Sequence, residues 1–593
     1  MQFRRIRLRF RRSLRKSQQQ VEEFGTQAEK NLDRHFFKRY ERLLPVRRFI
    51  AGWLALVLLL ITGLIAQNVL LSGYYQTLRP VPGGIYNEGV LGTFTNANPL
   101  YATTDVDTTV SRLIFASLFT YDKHGQLTGE LAQSYSPDEH GSTYTVHLKP
   151  GLKWQDGAPL TSADVVFTYQ LIQNPDAQSP LLHSWQGITV SAPDAQTVVF
   201  KLPDPLASFP HNLVNGIVPQ HLLAKIPAVD MRATDFNTTN PVGSGPFAWQ
   251  AIQVTGGDPS TAQEQIALKP FPAYANGRPK LQQFIVHAYA AQKQLVAAFK
   301  TGQLTGAEGL SSLPPELSTL PTADVHNLLQ RAATMVFFKT STGVLADVQV
   351  RSALVGAADV PAIIKNLSYA THAVREPFLS GQLGYDPSLV QAGFDLKAAQ
   401  KTLDADGWLV GAHGIRAKNG QPLTFTLSAA QTPEYVQVAH QLAAQWKRLN
   451  VDVHLQLQDA ADFQTTLSYH GYDAVLYGIS IGNDPDVFVY WDSSQADIRS
   501  PNRLNLSEYK NSTADTSLEA GRTRLDPGLR ALKYKPFLQA WRQDNPALGL
   551  YQPRLLYLTN GQVAGLTEQP ITSATDRFEN IQNWEIRQAK VTN

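Results

Sequence analysis

Residues 423–477 read LTFTLSAAQTPEYVQVAHQLAAQWKRLNVDVHLQLQDAADFQTTLSYHGYDAVLY. Leu423, Phe425 and Leu427 alternate at a period of two, the pattern of a strand. Tyr435, Val438, Leu442, Trp446 and Leu449 then recur every three or four residues, which places them on one face of a helix. Val451, Val453, Leu455 and Leu457 alternate again. Phe463 and Leu467 mark a second helix, and Ala474–Tyr477 a third strand. Strands joined through helices pair in parallel, so this stretch predicts a doubly wound α/β unit.

The pattern extends toward the N-terminus. Tyr144–Leu148 alternates as a strand, and Ile188–Ser191 with Thr197–Leu202 predicts a hairpin across Pro193-Asp194. Thr161-Ser162-Ala163-Asp164 is a capping box, opening a helix that carries Val165, Val166, Phe167, Tyr169 and Leu171. A length of 593 residues, at about 150 per domain, leaves room for roughly four units, enough for two lobes with a site between them. With 43% hydrophobic and 17% charged residues the chain is not disordered in bulk. It has no cysteine, which excludes disulfides, thiolate metal sites, cysteine nucleophiles and thiol-linked lipid anchors.

Charge is unevenly placed. Residues 1–48 carry fifteen Lys/Arg and five Asp/Glu, a net of +10; the remainder, with 37 basic and 44 acidic side chains, carries −7. The mildly acidic body is not a nucleic-acid binder by charge, and no nucleic-acid partner is expected. Between arm and body, Phe49–Ala66 holds no charged residue, and the apolar character extends to Leu71. About 20 such residues span a bilayer. Arg47 and Arg48 abut its N-terminal end, which puts residues 1–48 in the cytoplasm and the body outside. No small-x-small cleavage site follows the run, so it reads as an uncleaved single-pass anchor rather than a signal peptide. The alternating Phe3–Arg12 segment reads as a polybasic stretch for the inner leaflet.

The sequence lacks G-x-S-x-G, H-E-x-x-H, a P-loop and a Rossmann fingerprint, and its 14 histidines are scattered. No catalytic residue, metal or cofactor is expected, and the chain reads as a binding protein rather than an enzyme. The segment Gly478–Trp491 follows the strand Ala474–Tyr477. It therefore leaves the carboxyl end of a parallel sheet, where open α/β sheets bind ligands. It gathers Ser480, Asn483, Asp484, Asp486, Tyr490 and Trp491: polar groups for orientation and aromatics for stacking. The alternative is that Tyr490 and Trp491 are core and that the Asp484-Pro485-Asp486 carboxylates only shape a turn.

Longer blocks carry a resemblance. Leu118–Lys123, Leu131–Tyr135 and Tyr144–Phe167 are followed in order by Pro241–Phe247, Phe299–Gly302, Leu345–Leu354, Leu403–Trp408, Gly471–Ala474 and Asp484–Asp486. Over about residues 90–560 the chain resembles family 5 of the bacterial extracytoplasmic solute-binding proteins, the oligopeptide-, dipeptide- and nickel-binding receptors of ABC importers. The resemblance implies two α/β lobes with a ligand cleft between them, preceded here by one transmembrane helix. Charge and hydropathy place ahead of the lobes a cytoplasmic arm over 1–48, a membrane helix over 49–71 and a linker over 72–88, a departure from relatives that are lipid-anchored or free. The first lobe would then run over 89–288, the second over 289–545, and a return to the first over 546–593, with the second crossing near Pro546–Pro553. The implied partners are a peptide, or another small solute such as an oligosaccharide, and the permease subunits of an importer. A hydrolase or a sensory protein on the same fold is the rival. Peptide-binding relatives commonly place an Asp for the peptide's α-amine three residues before the Asp-Pro block; here that slot is Ile481. Either Asp484 or Asp486 takes over that role, or the ligand has no free amine.

Overall fold

Nothing in Phe49–Ala66 caps or breaks a helix, and the computed structural model folds it within a single helix, α1 (Arg47–Tyr75). The structure describes residues 46–256, 263–411, 413–497, 499–500 and 503–592; the basic arm lies outside these as far as residue 45. Over Arg47–Val69 the helix has a mean hydropathy of 2.6, and nothing buries it. Phe49 is 69% exposed and Leu59 72%. That length and composition suffice to cross a bilayer. Where a linker is expected over 72–88, the helix runs on to Tyr75 and becomes strand β1 (Gln76–Val81), which pairs with the C-terminal strand Arg587–Thr592. The described residues up to Arg79, with 588–592, form one unit; residues 80–587 form the other.

The larger unit begins with β2 (Ile85–Leu91), α2 (Asp105–Ile114), β3 (Phe119–Tyr121), β4 (Leu127–Gly129), β5 (Ala132–Pro137), β6 (Thr143–Leu148) and α3 (Ser162–Gln173). The backbone N–H of Thr161 donates to Asp164 Oδ2 at 2.9 Å, as the capping box requires. The hairpin β7 (Thr189–Asp194) and β8 (Thr197–Lys201) follows. Then come β9 (Phe247–Thr255), β10 (Gln263–Pro270), β11 (Gln283–Tyr289), helix α4 (Gln292–Lys300), β12 (Gly306–Glu308) and β13 (Ala323–Leu329). The second half holds β14 (Ala332–Phe338), a small sheet of β15 (Leu409–Val410), β16 (Arg416–Lys418) and β17 (Gln421–Pro422), and then β18 (Thr424–Ala430), α5 (Pro433–Lys447), β19 (Asp452–Gln458), α6 (Ala460–Tyr469) and β20 (Ala474–Ser480). It closes with α7 (Ser512–Arg522), α8 (Pro527–Asp544), β21 (Ala547–Tyr551) and β22 (Arg554–Asn560).

Two lobes result. The first holds a seven-stranded sheet ordered β13-β22-β12-β2-β11-β10-β9 and a four-stranded sheet ordered β5-β6-β8-β7. The second holds a five-stranded sheet ordered β19-β18-β20-β14-β21. As the periodicity of 423–477 predicts, β18 runs parallel to both β19 and β20. The interior strand β14 is apolar almost throughout because both of its faces are covered. Val336 and Phe338 join the core of Leu442 and Trp446, while Met335 and Phe337 join that of Trp491 and Trp541.

The chain passes between the lobes at Gln330–Arg331, from β13 to β14, and again at Gln552–Pro553, from β21 to β22. The second crossing falls in the Pro546–Pro553 stretch. The first falls well beyond the expected boundary at 288/289, since α4, β12 and β13 build the first lobe: β12 fills the gap between β2 and β22. Likewise β21, expected in the return segment, pairs with β14 in the second lobe. Hydrophobic periodicity identifies a strand but not the partner it will have, and these partners are distant in sequence.

The first sheet is centred on a buried ion pair. Glu88 and Arg577, both fully buried, meet at 2.9 Å. Tyr557 donates its hydroxyl to Glu88 at 2.8 Å, and its oxygen lies 2.6 Å from that of Tyr86. Gly306 makes room for this cluster, because a Cβ there would fall 2.5 Å from both Glu88 Oε2 and the Tyr86 hydroxyl. Removing one member of a buried pair strands the other charge. Arg577→Met is expected to destabilise the protein by about 3–5 kcal/mol, and adding Glu88→Gln to recover most of the loss, as read by urea denaturation.

Candidate functional site

Strand β20 ends at Ser480, opposite Ala332 at the start of β14. The next two backbone N–H groups, of Ile481 and Gly482, both donate to the carbonyl of Arg331, at 2.9 and 3.0 Å. The loop is thereby fastened to the residue on which the chain crosses between lobes. Gly482 then turns it with φ +78°, a conformation that favours glycine. Asn483 reaches the first lobe, its Nδ2 donating to Thr572 Oγ1 at 3.0 Å. Its Oδ1 is buried without a partner.

The two candidate aspartates are both engaged. Arg530 on α8 grips Asp484 with both arms, Nη1 to Oδ2 at 2.6 Å and Nη2 to Oδ1 at 2.7 Å, and both side chains are largely buried. This bidentate fork is the strongest common form of charge-assisted hydrogen bonding. Asp486 Oδ2 accepts from Arg522 Nη2 at 3.0 Å and Nε at 3.2 Å. It also accepts from Ser208 Oγ of the first lobe at 3.2 Å. Beside it, the backbone N–H of Ala207 donates to the carbonyl of Arg522 at 2.8 Å, so the lobes touch through main chain as well. Arg522 lies over the ring of Phe488, 4.2 Å from its centroid. A cavity of 530 Å³ flanks this contact, lined from the first lobe by residues including Gln186 and Leu206 and from the second by Phe488, Glu519 and Arg522.

The first lobe brings Tyr121 and His211 to the same seam. Their rings stack at 5.8 Å, and Tyr121 Oη lies 3.1 Å from His211 Nδ1. Burial lowers the His211 pKa and raises that of Tyr121 to about 12, so both are neutral near pH 7.

Of the residues singled out from sequence, Asn483 and Asp486 meet the first lobe, and Asp484 lies behind them. Ser480 is exposed at the strand end. Ile481 is buried in the core of the second lobe. Tyr490 is partly buried against the same core, and burial raises its pKa to about 12. Trp491 requires correction as a ligand-stacking surface. It is fully buried, stacked on Phe337 at 5.6 Å and edge-on to Trp541 at 5.6 Å. The short helix Phe488–Trp491 turns its indole inward beneath β14. Sequence reasoning missed Arg331, Arg530, Arg522, Ser208 and Thr572. Each meets the loop from far along the chain, and no local spacing announces such pairs.

Trp491→Ala is expected to lower stability by about 3–5 kcal/mol through the cavity it leaves, while the folded fraction binds as before. Trp491→Phe should retain most of the stability, since the indole N–H has no partner to lose. Denaturation curves, combined with binding by the folded protein, check both.

Residues 126–500 match the family described as bacterial extracellular solute-binding proteins, family 5. The chain is 26% identical over 491 residues to the oligopeptide-binding protein AppA of Bacillus subtilis, covering 80% of this chain and 87% of that one. Among solved structures, NikZ from Campylobacter jejuni in complex with Ni(L-His) aligns with a TM-score of 0.70 at 22% identity, covering 85% of this chain and 99% of its own. AppA from Bacillus subtilis in complex with a nonapeptide aligns with a TM-score of 0.68 at 23% identity, covering 86% and 100%. The chain belongs to the family 5 bacterial extracellular solute-binding proteins, receptors rather than enzymes.

Proposed function

We propose that this chain is a membrane-tethered receptor that captures a peptide, or a solute built like one, between its lobes and passes it to the permease of an ABC importer. The observation that carries the reading is the paired crossing: among the described residues the chain passes between the two lobes at Gln330–Arg331 and at Gln552–Pro553, an axis about which they can part and close. The loop fastened to the first crossing faces the opposite lobe through Asn483 and Asp486. The peptide part of the reading draws on AppA, named for oligopeptide binding and solved with a nonapeptide.

The tether is α1. Its unburied apolar span, with Arg47 and Arg48 at its start, supports a single-pass helix with the N-terminus in the cytoplasm and the body outside the cell. The chain has no cysteine to carry a lipid in its place.

Two measurements test this. The full chain should stay in the membrane fraction after an alkaline wash, and its N-terminal sequence should begin before Phe49; one that begins after Ala66 would remove the tether. Native mass spectrometry of the detergent-solubilised protein should show a retained solute, whose fragmentation yields amino-acid residues. A retained solute that fragments into hexoses would replace the peptide reading with the oligosaccharide one.

A further inference from the structure

The junction between the lobes is held by side chains as well as by its two strands. Gln552 and Pro553 carry the second crossing, and a strap of the second lobe, Ser368–His372, lies along it. Thr371 Oγ1 donates to the carbonyl of Gln552 at 2.6 Å, and the N–H of Gln552 donates to the carbonyl of His372 at 3.1 Å. Tyr369 is the fixed point of this strap. It is 7% exposed, and its hydroxyl donates to Glu434 Oε1 on α5 at 3.3 Å. The same oxygen accepts the hydroxyl of Tyr551, the last residue of β21, at 2.8 Å. The Tyr369 ring is thus a plate fastened to the second lobe.

Arg554, the first residue of β22, belongs to the other lobe, where its backbone stands opposite Leu329 of β13. Its guanidinium leaves that lobe and lies over the Tyr369 ring, 4.4 Å from the centroid. Nη2 donates to Ser368 Oγ at 3.1 Å, and Nη1 donates to Asn327 Oδ1 on β13. One side chain therefore holds its own lobe through Asn327 and the opposite lobe through Ser368 and Tyr369. Rotation about the crossings moves Ser368 and Tyr369 against Asn327, and a planar fork of fixed geometry cannot follow both. The three contacts are made together in the arrangement in which the lobes also touch across the seam, through Asn483 on Thr572 and Asp486 on Ser208. An interaction made in one of two states favours that state by its own free energy.

We propose that Arg554 is a positioning residue for solute capture: its clasp on Tyr369 and Ser368 biases the lobes toward the closed arrangement and so sets affinity from the hinge. This rests on the reading that the two lobes part and close about the crossings. A receptor whose competent state is populated only in part binds more weakly by that fraction. The clasp thus reaches the solute through the lobe equilibrium and needs no contact with it.

The test reads the lobe separation in the detergent-solubilised full chain before any solute is added. The chain has no cysteine of its own. Lys201→Cys, next to Leu202 of the seam cavity, and Thr516→Cys, one turn before Glu519, therefore place a single pair of spin labels at exposed positions on opposite lobes. By double electron–electron resonance, Arg554→Met should raise the ratio of long to short separations about threefold or more. Arg554→Lys should fall between, because lysine keeps a cation over the ring but loses the fork. The affinity for a pool of synthetic pentapeptides, read by calorimetry, should drop in proportion to the closed fraction that the same labels report. Should Arg554→Met fail to fold, Arg554→Lys and Ser368→Ala carry the comparison. Separations that are the same in every variant overturn the inference and leave the receptor reading intact. So does a loss of affinity in Arg554→Met with no change in separation, which would make Arg554 a solute contact. If the unaltered protein binds no peptide, the peptide reading falls, while the separations, which need no solute, still decide this inference. One fixed separation in the unaltered protein, with peptide and without, overturns lobe closure and this inference with it.

Discussion

The two crossings between the lobes run side by side. The N–H of Gln330 donates to the carbonyl of Pro553 at 2.8 Å, which locks one crossing to the other. Every feature of the seam is placed by this junction. The carbonyl of Arg331 accepts both N–H groups that lead into the Asn483–Asp486 loop, so a small rotation at the crossing carries that loop with it. A hinge residue that also anchors the loop through its main chain couples lobe motion to site geometry with no intermediary.

The charges at the seam follow a simple rule of burial. A carboxylate in a poorly solvated place must have a partner, and Asp484 and Asp486 have arginines from α8 and α7. These helices thus do two jobs: they pack the core of the second lobe through Leu518, Phe537 and Trp541, and they quench the loop. The cavity beside them is of mixed character, lined by Asp204 and Glu519 as well as by Arg522 and Phe488. Tyr121 and His211, held neutral by burial, add hydrogen-bonding capacity to the first-lobe side without adding charge.

How much of this was legible in the sequence depended on sequence distance. The five elements of 423–477 lie next to each other in the chain and in the sheet, so periodicity alone sufficed. The capping box at Thr161 and the 189–201 hairpin are equally local, although the hairpin turns at Ala195-Gln196 and Pro193-Asp194 ends its first strand. The first lobe boundary was not legible, because β12 is recognisable only by its partners β2 and β22, on either side of the whole second lobe. The strand expected to end at Tyr477 runs on to Ser480, so the loop begins three residues later than read, and the surroundings of its side chains were not legible. Aromatic residues at Tyr490 and Trp491 have the same pattern whether they line a pocket or fill a core, and the indole turned inward. Whether an aspartate is free or quenched depends on an arginine about forty residues away, which no motif encodes.

The Glu88–Arg577 pair has a consequence for how the chain is made. The second lobe, residues 332–551, is contiguous and has its full complement of strands once β21 has emerged. The first lobe does not: β22 and Arg577 come from the last 40 residues of the chain, while β2 comes near the start of the body. Until those last residues arrive, the Glu88 carboxylate has no Arg577 countercharge, and β13 is cut off from the other five strands of the seven-stranded sheet. The lobe that begins first therefore finishes last. Such long-range closure is slow and leaves strand edges open in the meantime. A body completed in the order of its sequence must be kept from premature association over this interval, and the late-arriving arginine is the group that ends it.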